Sequence, residues 1–91
     1  MKSERQVTIA NEKGLHVRPA TKFAQVAVRF RSRIEVVKDG ATVNAKSSID
    51  LLTLAAEPGS VLLIRADGDD AQAAVDALAG LVADRFGFRD D

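Results

Sequence analysis

Residues 14–20, GLHVRPA, mark the point where an opening strand gives way to the first helix. Proline is tolerated in the first turn of a helix, and it pushes the residue before it out of the α region. The helix is therefore predicted to begin between Val17 and Pro19, with His16 at or just before its N-terminus. Gly14 allows the backbone to bend sharply just before the histidine.

The predicted position of His16, the only histidine in the chain, is one that favours an anion. The backbone N–H groups and the positive end of the dipole at a helix N-terminus attract negative charge. Arg18 adds a planar fork of donors that matches phosphate oxygens. Since histidine can itself form covalent intermediates, the stretch indicates a histidine that accepts and donates a phosphoryl group.

Other roles for His16 are weighed against this one. A lone histidine is commonly structural or solvated, and an arginine at a helix entrance can be solvated as well. An acyl-transfer triad lacks a paired serine and acid at a recognisable spacing. A zinc site lacks ligands, because the chain has one histidine and no cysteine. On the residues alone the structural and phosphoryl-transfer interpretations both remain open, and no metal or cofactor is expected.

Strands are predicted where apolar residues alternate with polar ones. The Asp39-Gly40 pair predicts a tight hairpin turn between two of them. The predicted strands are Arg5–Ala10, Arg33–Lys38, Ala41–Asn44 and Val61–Ala66.

Two longer helices are predicted from apolar residues at helical spacing. The first runs from Val17 to about Arg29, and its apolar stripe is Ala20, Phe23, Ala24, Ala27 and Phe30. The last follows Asp67–Asp70, which is expected to end a strand and cap the helix. Its stripe is Ala71, Ala74, Val75, Leu78 and Leu81. The tail from Phe86 to Asp91 is expected to fray.

A short helix is predicted between them, ending before Pro58-Gly59. Ser47 and Asp50 form an S-x-x-D capping box ahead of an apolar run. Leu51 and Leu54 are expected to face the core, and Ile49 and Leu52 to point outward. On physical grounds alone, Ser47 needs no role beyond the cap.

The element order is then βαββαβα in one domain over residues 1–91. Hairpin-like strands between long helices favour an α+β fold, with a four-stranded antiparallel sheet covered on one face by three helices.

Composition narrows the class of function. Formal net charge is zero, but ten basic and four acidic residues lie through Lys46, against three and nine after it. That split is compatible with steering toward an acidic face of a partner, or with a solvated acidic side on the C-terminal helix. A neutral chain with four Phe and no Tyr or Trp is a poor nucleic-acid binder. No signal peptide or membrane-length apolar run is present and cysteine is absent, so a cytoplasmic protein is expected.

The element order and two motifs, GLHVRPA and VNAKSSIDLLTL, resemble the HPr family over essentially the whole chain. These are the small histidine-containing phosphocarriers of the bacterial phosphoenolpyruvate-dependent phosphotransferase system. The resemblance implies an HPr-like open-faced β-sandwich and a stoichiometric carrier rather than an enzyme. It implies that phospho-enzyme I phosphorylates His16 on Nδ1 and that an enzyme IIA domain receives the group. It also implies that Arg18 and the amides near Val17 and Arg18 hold the phosphate.

The resemblance extends to a regulatory serine and a partner face. Ser47 matches the serine that HPr kinase/phosphorylase modifies in some bacteria. The implied partner face surrounds the histidine and the second helix, and it consists of Leu15, Val17, Ala20, Thr21, Ile49 and Leu52. No obligate oligomer is implied, and we expect a monomer.

The sequence departs from the family pattern at Asp50, where relatives often carry glycine or a basic residue. An acidic side chain there is expected to weaken binding by a partner or kinase that requires a neutral or positive surface. Two alternatives stay open. The ending FGFRDD resembles the nitrogen branch of the family, whereas Lys46-Ser47 resembles the sugar branch. The chain could also be an HPr-like regulatory module that acts through protein binding and Ser47 phosphorylation.

Overall fold

The computed structural model describes residues 1–89, in which strands and helices follow the predicted order. The elements are β1 (Lys2–Thr8), α1 (Val17–Ala27), β2 (Arg33–Lys38), β3 (Ala41–Asn44), α2 (Ser48–Leu52), β4 (Val61–Asp67) and α3 (Ala71–Ala83), followed by a 3₁₀ turn at Arg85–Gly87. The four strands form one antiparallel sheet in the order β1-β4-β2-β3. The α+β fold with three α-helices on this sheet is thereby confirmed.

The inner face of the sheet is built from alternate residues of the two central strands. Ile34 and Ala66 pair across β2 and β4, and Val36 pairs with Ile64 two residues along. All four side chains are 3% exposed or less. The alternation predicted from the sequence therefore places the intended residues inside, as expected for a half-buried sheet.

The first strand starts and ends earlier than the predicted Arg5–Ala10. Because β4 extends to Asp67, Lys2 finds a pairing partner there, and the ladder runs back to Thr8 opposite Val61. Ile9 lies beyond the strand but stays tied to the loop before β4. Its N–H donates to the Ser60 carbonyl at 2.9 Å, and its carbonyl accepts from the Gly59 N–H at 2.7 Å.

The buried face of α3 differs from the predicted stripe at its C-terminal end. Ala71, Ala74, Val75 and Leu78 are fully buried, as predicted, but Leu81 is only partly buried. Val82 and Ala79 complete the face instead. After Leu78 the 3.6-residue period brings position 82 back over the sheet, whereas position 81 falls at the margin.

The prediction that the tail frays from Phe86 is wrong for the residues that the structure describes. Phe86 is 1% exposed and belongs to the hydrophobic core. Phe88 is partly buried and packs against the same core. This segment is therefore ordered because burial of its two phenyl rings contributes more free energy than ordering the backbone costs in entropy. Asp90 and Asp91 lie outside the described residues.

Asp70 stands at the N-cap position of α3 but does not cap the helix with its side chain. Its carboxylate accepts the Ser32 hydroxyl at 2.6 Å and the N–H groups of Ser32 and Arg31 at 2.9 and 2.8 Å. The Ser32 hydroxyl first, and then these N–H groups, lower the pKa of Asp70 to about 2. Asp70 thus joins the start of α3 to the segment that enters β2.

No helix within residues 1–89 is long and apolar enough to cross a membrane.

Candidate functional site

His16 occupies the N-cap of α1, as predicted. Its backbone is extended (φ −91°, ψ −165°), and its carbonyl accepts the Ala20 N–H at 3.0 Å to close the first helical turn. The imidazole makes no capping hydrogen bond. The side chain is partly exposed. The imidazole thus lies at the start of the helix, and its nitrogen atoms are not used to cap the helix.

Three contacts fix the loop that carries His16. Gly14 has a φ of +70°, and a Cβ there would lie 2.5 Å from the Ala56 carbonyl oxygen. That same oxygen accepts the Leu15 N–H at 2.9 Å. Asn11 is fully buried, and its Nδ2 donates to the Gly14 carbonyl at 2.6 Å. The contacts with the loop before β4 therefore fix the backbone position of the two residues that precede His16.

Asn11 and Ala56 are positioning residues that sequence reasoning missed. Asn11 carries a signal in hindsight, since a short amide side chain three residues before a glycine is suited to a local turn. Ala56 carries none, because it acts through a backbone carbonyl that any residue would supply.

The N-terminus of α1 presents positive electrostatic potential next to His16. The first turn contains no acidic residue, and its N–H groups come from Val17 and Arg18, because Pro19 at the third position has none. Arg18 and Lys22 are the charged side chains of this helix, and both are basic. An anion at His16 would therefore meet backbone amides and the positive end of the helix dipole, with a basic side chain, Arg18, in the same first turn.

The Arg18 guanidinium stacks on the ring of Phe88, with 4.1 Å between its Cζ atom and the ring centroid. The phenyl ring comes from the segment after α3, which the sequence had suggested would fray. This stacking partner was therefore missed at the sequence level.

Ser47 is the N-cap of α2, and its hydroxyl oxygen accepts the Asp50 N–H at 3.2 Å. Only half of the predicted capping box forms. The Asp50 carboxylate accepts the Asn44 N–H at 3.4 Å, while the Ser47 N–H donates to the Asn44 carbonyl at 3.1 Å. The aspartate side chain is one methylene shorter than the glutamate of a standard box, which accounts for the missing return bond.

The predicted partner face is only partly available at the surface. Val17 and Ile49 are 63% and 74% exposed, and Thr21 is exposed as well. Leu52, predicted to point outward, is partly buried and packs against the core. The prediction is wrong for Leu15 and Ala20, which are 5% and 0% exposed, because both side chains point into the core under the loop and α1.

A metal site is not formed by the residues in the described part of the chain, which contains no group of three or more His, Cys, Asp or Glu side chains able to hold an ion.

The structure is thus a small α+β domain with its single histidine at the N-cap of the first helix. Residues 3–84 match the family model for the PTS HPr component phosphorylation site. The chain belongs to the HPr family.

Among curated relatives, the phosphocarrier protein HPr of Cupriavidus necator is 43% identical over 84 residues, which cover 92% of this chain and 94% of that protein. The phosphocarrier protein NPr of Shewanella violacea is 42% identical over 85 residues, or 93% of each chain. The chain is thus similar to nearly the same degree to an HPr and to an NPr.

Solved structures agree with the fold. HPr-C-His from Thermoanaerobacter tengcongensis superposes with a TM-score of 0.91 at 41% identity, covering 96% of this chain and 98% of that one. An HPr dimer from the same organism has a TM-score of 0.77 at 43% identity and covers 90% and 94%.

Proposed function

We propose that the chain is a phosphocarrier that accepts a phosphoryl group on His16 from phospho-enzyme I and passes it to an enzyme IIA domain. The observation that carries the proposal is the placement of His16 at the N-cap of α1 beside Arg18, in a chain of the HPr family. The protein would be a stoichiometric carrier rather than an enzyme, because it ends each half-cycle chemically changed. It would work in the cytoplasm.

The proposed step is a phosphoryl transfer from phospho-enzyme I to the imidazole of His16. The Nδ1 lone pair of His16 attacks phosphorus while the bond from phosphorus to the donor group breaks, and the electron pair of that bond returns to the donor group. The Val17 and Arg18 N–H groups and the Arg18 guanidinium compensate charge on the phosphoryl oxygens. Transfers of this kind depend mostly on alignment and charge compensation.

The surface offered to both partners would centre on the start of α1 and on α2. Val17, Thr21 and Ile49 supply exposed contacts, with the margin of Leu52 beside them. Exposed apolar side chains that are rimmed by polar residues are typical of protein interaction sites. Leu15 and Ala20 support this surface from below, since both are buried.

A relay assay tests the proposal. Enzyme I, magnesium and phosphoenolpyruvate are combined with a IIA domain in the presence or absence of this chain. We expect phosphate on the IIA domain only when the chain is added, and none with His16→Ala. Gln6→Ala, at an exposed position in β1, is the matched control and should retain full transfer. Equal transfer by His16→Ala would contradict the proposal.

A second function, regulation through Ser47, is favoured by one observation. The Ser47 hydroxyl lies at a helix N-terminus, where a phosphate is tolerated. The Asp50 carboxylate already occupies the first turn of α2, so a phosphoserine would also meet a like charge. A kinase assay with HPr kinase/phosphorylase, with Ser47→Ala as control and Asp50→Gly as a relieved variant, tests this function. Partner-dependent regulation that is unchanged in His16→Ala would favour it over the carrier.

A further inference from the structure

The segment that follows α3 turns back sharply and is fixed in place. Arg85, Phe86 and Gly87 all have positive φ values, of 52°, 59° and 80°. Hydrogen bonds from the Gly87 N–H to the Asp84 carbonyl (2.9 Å) and from the Phe88 N–H to the Arg85 carbonyl (3.1 Å) close the turn. The buried Phe86 ring anchors it in the core. Phe88 is therefore presented by a tight, anchored turn.

The turn delivers the Phe88 ring to the outer face of α1. There it borders a shallow groove. The other residues that line this groove lie on one face of α1, and they are Val17, Arg18, Thr21, Lys22 and Gln25. The Arg18 guanidinium lies over the ring at 4.1 Å. A cation at this distance from a ring face is attracted by the ring quadrupole.

Stacking on an aromatic ring leaves the hydrogen-bonding capacity of a guanidinium intact. The ring contacts the flat face, whereas the five N–H donors lie in the guanidinium plane and point outward. A phosphate can therefore bind to the edge of a stacked arginine. An ordered arginine also loses less side-chain entropy when the phosphate arrives than a mobile one does.

We propose that Phe88 is a positioning residue for phosphoryl transfer: it holds the Arg18 guanidinium in place beside the helix N-terminus, ready to receive the phosphate on His16. This role rests on the proposed function. It assigns the C-terminal turn to the site, although its residues lie about as far from His16 in sequence as the chain allows.

An equilibrium competition measures the effect directly. Wild type and a variant are mixed with limiting phosphoenolpyruvate and catalytic enzyme I, which redistributes phosphate between them, and intact mass gives the ratio of the two phosphorylated forms. Because this ratio is measured at equilibrium, it does not depend on how well either protein binds to enzyme I, which changes only the rate. We expect Phe88→Ala to lower the variant's share roughly two- to fivefold. Phe88→Tyr and Phe88→Trp, which keep an aromatic face, should restore it.

Two controls separate positioning from structural damage. Phe30→Ala removes a partly buried phenyl ring that packs on the core beyond the other end of α1, so it should cost stability without changing the phosphorylation ratio. In an Arg18→Ala background, Phe88→Ala should have no further effect on the ratio. A wild-type ratio for Phe88→Ala, or the same loss in the Arg18→Ala background, would overturn the role of Phe88 and leave the proposed function standing.

A chemical phosphoryl donor tests the role of Phe88 even if enzyme I does not phosphorylate this chain. Phosphoramidate loads the histidine chemically, and NMR then follows the Arg18 Nε–H signal. We expect phosphorylation to slow the exchange of this proton in wild type and Phe88→Tyr but not in Phe88→Ala. Equal protection in all three would overturn the role of Phe88. A wild type that takes no phosphate from either donor would overturn the proposed function and the role of Phe88 with it.

Discussion

The position of His16 depends on a glycine two residues before it. Gly14 adopts a left-handed conformation against the backbone of the loop before β4, so the two loops touch where a side chain would otherwise separate them. Sequence reasoning assigned Gly14 a bend, which is correct, but it could not see the partner loop. The contact joins residues more than forty positions apart, and no local pattern encodes it.

Replacing Gly14 tests this dependence. Gly14→Ala puts a Cβ 2.5 Å from the Ala56 carbonyl oxygen at a φ of +70°. We expect it to lower the free energy of unfolding by about 2–4 kcal/mol, since backbone strain and overlap add, and to slow phosphorylation of His16. Chemical denaturation and the enzyme I assay measure the two effects.

Gly80→Ala is the matched control for that substitution. Gly80 lies in α3, where an added Cβ would meet no heavy atom within 4 Å, so alanine should stabilise the protein by about 1 kcal/mol. Equal effects of the two substitutions would contradict the role given to Gly14.

At the scale of elements, β2 and β3 could be predicted to the residue, and the start of α1 lies within the predicted range of Val17 to Pro19. These segments have strong local signals, namely alternating apolar residues in β2, an Asp-Gly turn and a proline in the first helical turn. The predictions failed where tertiary contacts decide. The start of β1 depends on the length of β4, and the C-terminal turn depends on a core that only the folded chain forms.

Asp70 couples two elements and makes stability depend on pH. Its pKa falls from an ordinary 3.8 to about 2 in the folded protein, so its contribution is complete above about pH 4 and is lost as pH falls toward 2. We expect Asp70→Asn to lower the midpoint of thermal unfolding at pH 7, and this difference from wild type to shrink between pH 4 and 2.

The exposed neighbour Asp69 provides the control, and Asp69→Asn should change the midpoint little at either pH. A difference between wild type and Asp70→Asn that stayed constant down to pH 2 would show that the carboxylate charge is not what binds Ser32 and Arg31.

The cap of α2 gives a prediction for a helix of only five residues. Ser47→Ala removes the acceptor for the Asp50 N–H and should cost about 1 kcal/mol in the free energy of unfolding. Ser47→Asp should keep most of the cap. Ser48→Ala, one residue into the helix, should lie within about 0.5 kcal/mol of wild type. Denaturant titration measures these free energies of unfolding. Equal values for Ser47→Ala and Ser48→Ala would show that the cap does not stabilise the protein.

At the scale of the whole molecule, the basic first half and the acidic second half of the sequence are not separated in space. Arg5 from the basic half pairs with Asp76 from the acidic half at 3.1 Å, and the N-terminal ammonium of Met1 lies 3.9 Å from the Asp67 carboxylate. The sheet order brings the two halves together, because β1 and β2 flank β4. Steering by a global dipole is therefore weaker than the sequence suggested, and the local field at the start of α1 is the better candidate.

We expect a monomer in solution. The most exposed large apolar side chains of the described residues belong to different elements or to the chain start, and they are Met1, Val17, Val28, Ile49 and Val61. Val17 and Ile49 belong to the surface proposed for the phosphotransfer partners. Stable dimers need a contiguous apolar surface. Sedimentation velocity should give the same monomer for wild type and Val61→Lys. A wild-type dimer that Val61→Lys dissociates would contradict this and place an interface on the open face of the sheet.

The central claim is that His16 carries the phosphoryl group. The most direct measurement is intact mass after incubation with enzyme I, magnesium and phosphoenolpyruvate, taken at neutral pH and again after brief acid. We expect one added phosphate that acid removes and that His16→Ala never acquires. An acid-stable phosphate, a phosphate on His16→Ala, or none at all while enzyme I loads a control carrier would contradict the claim.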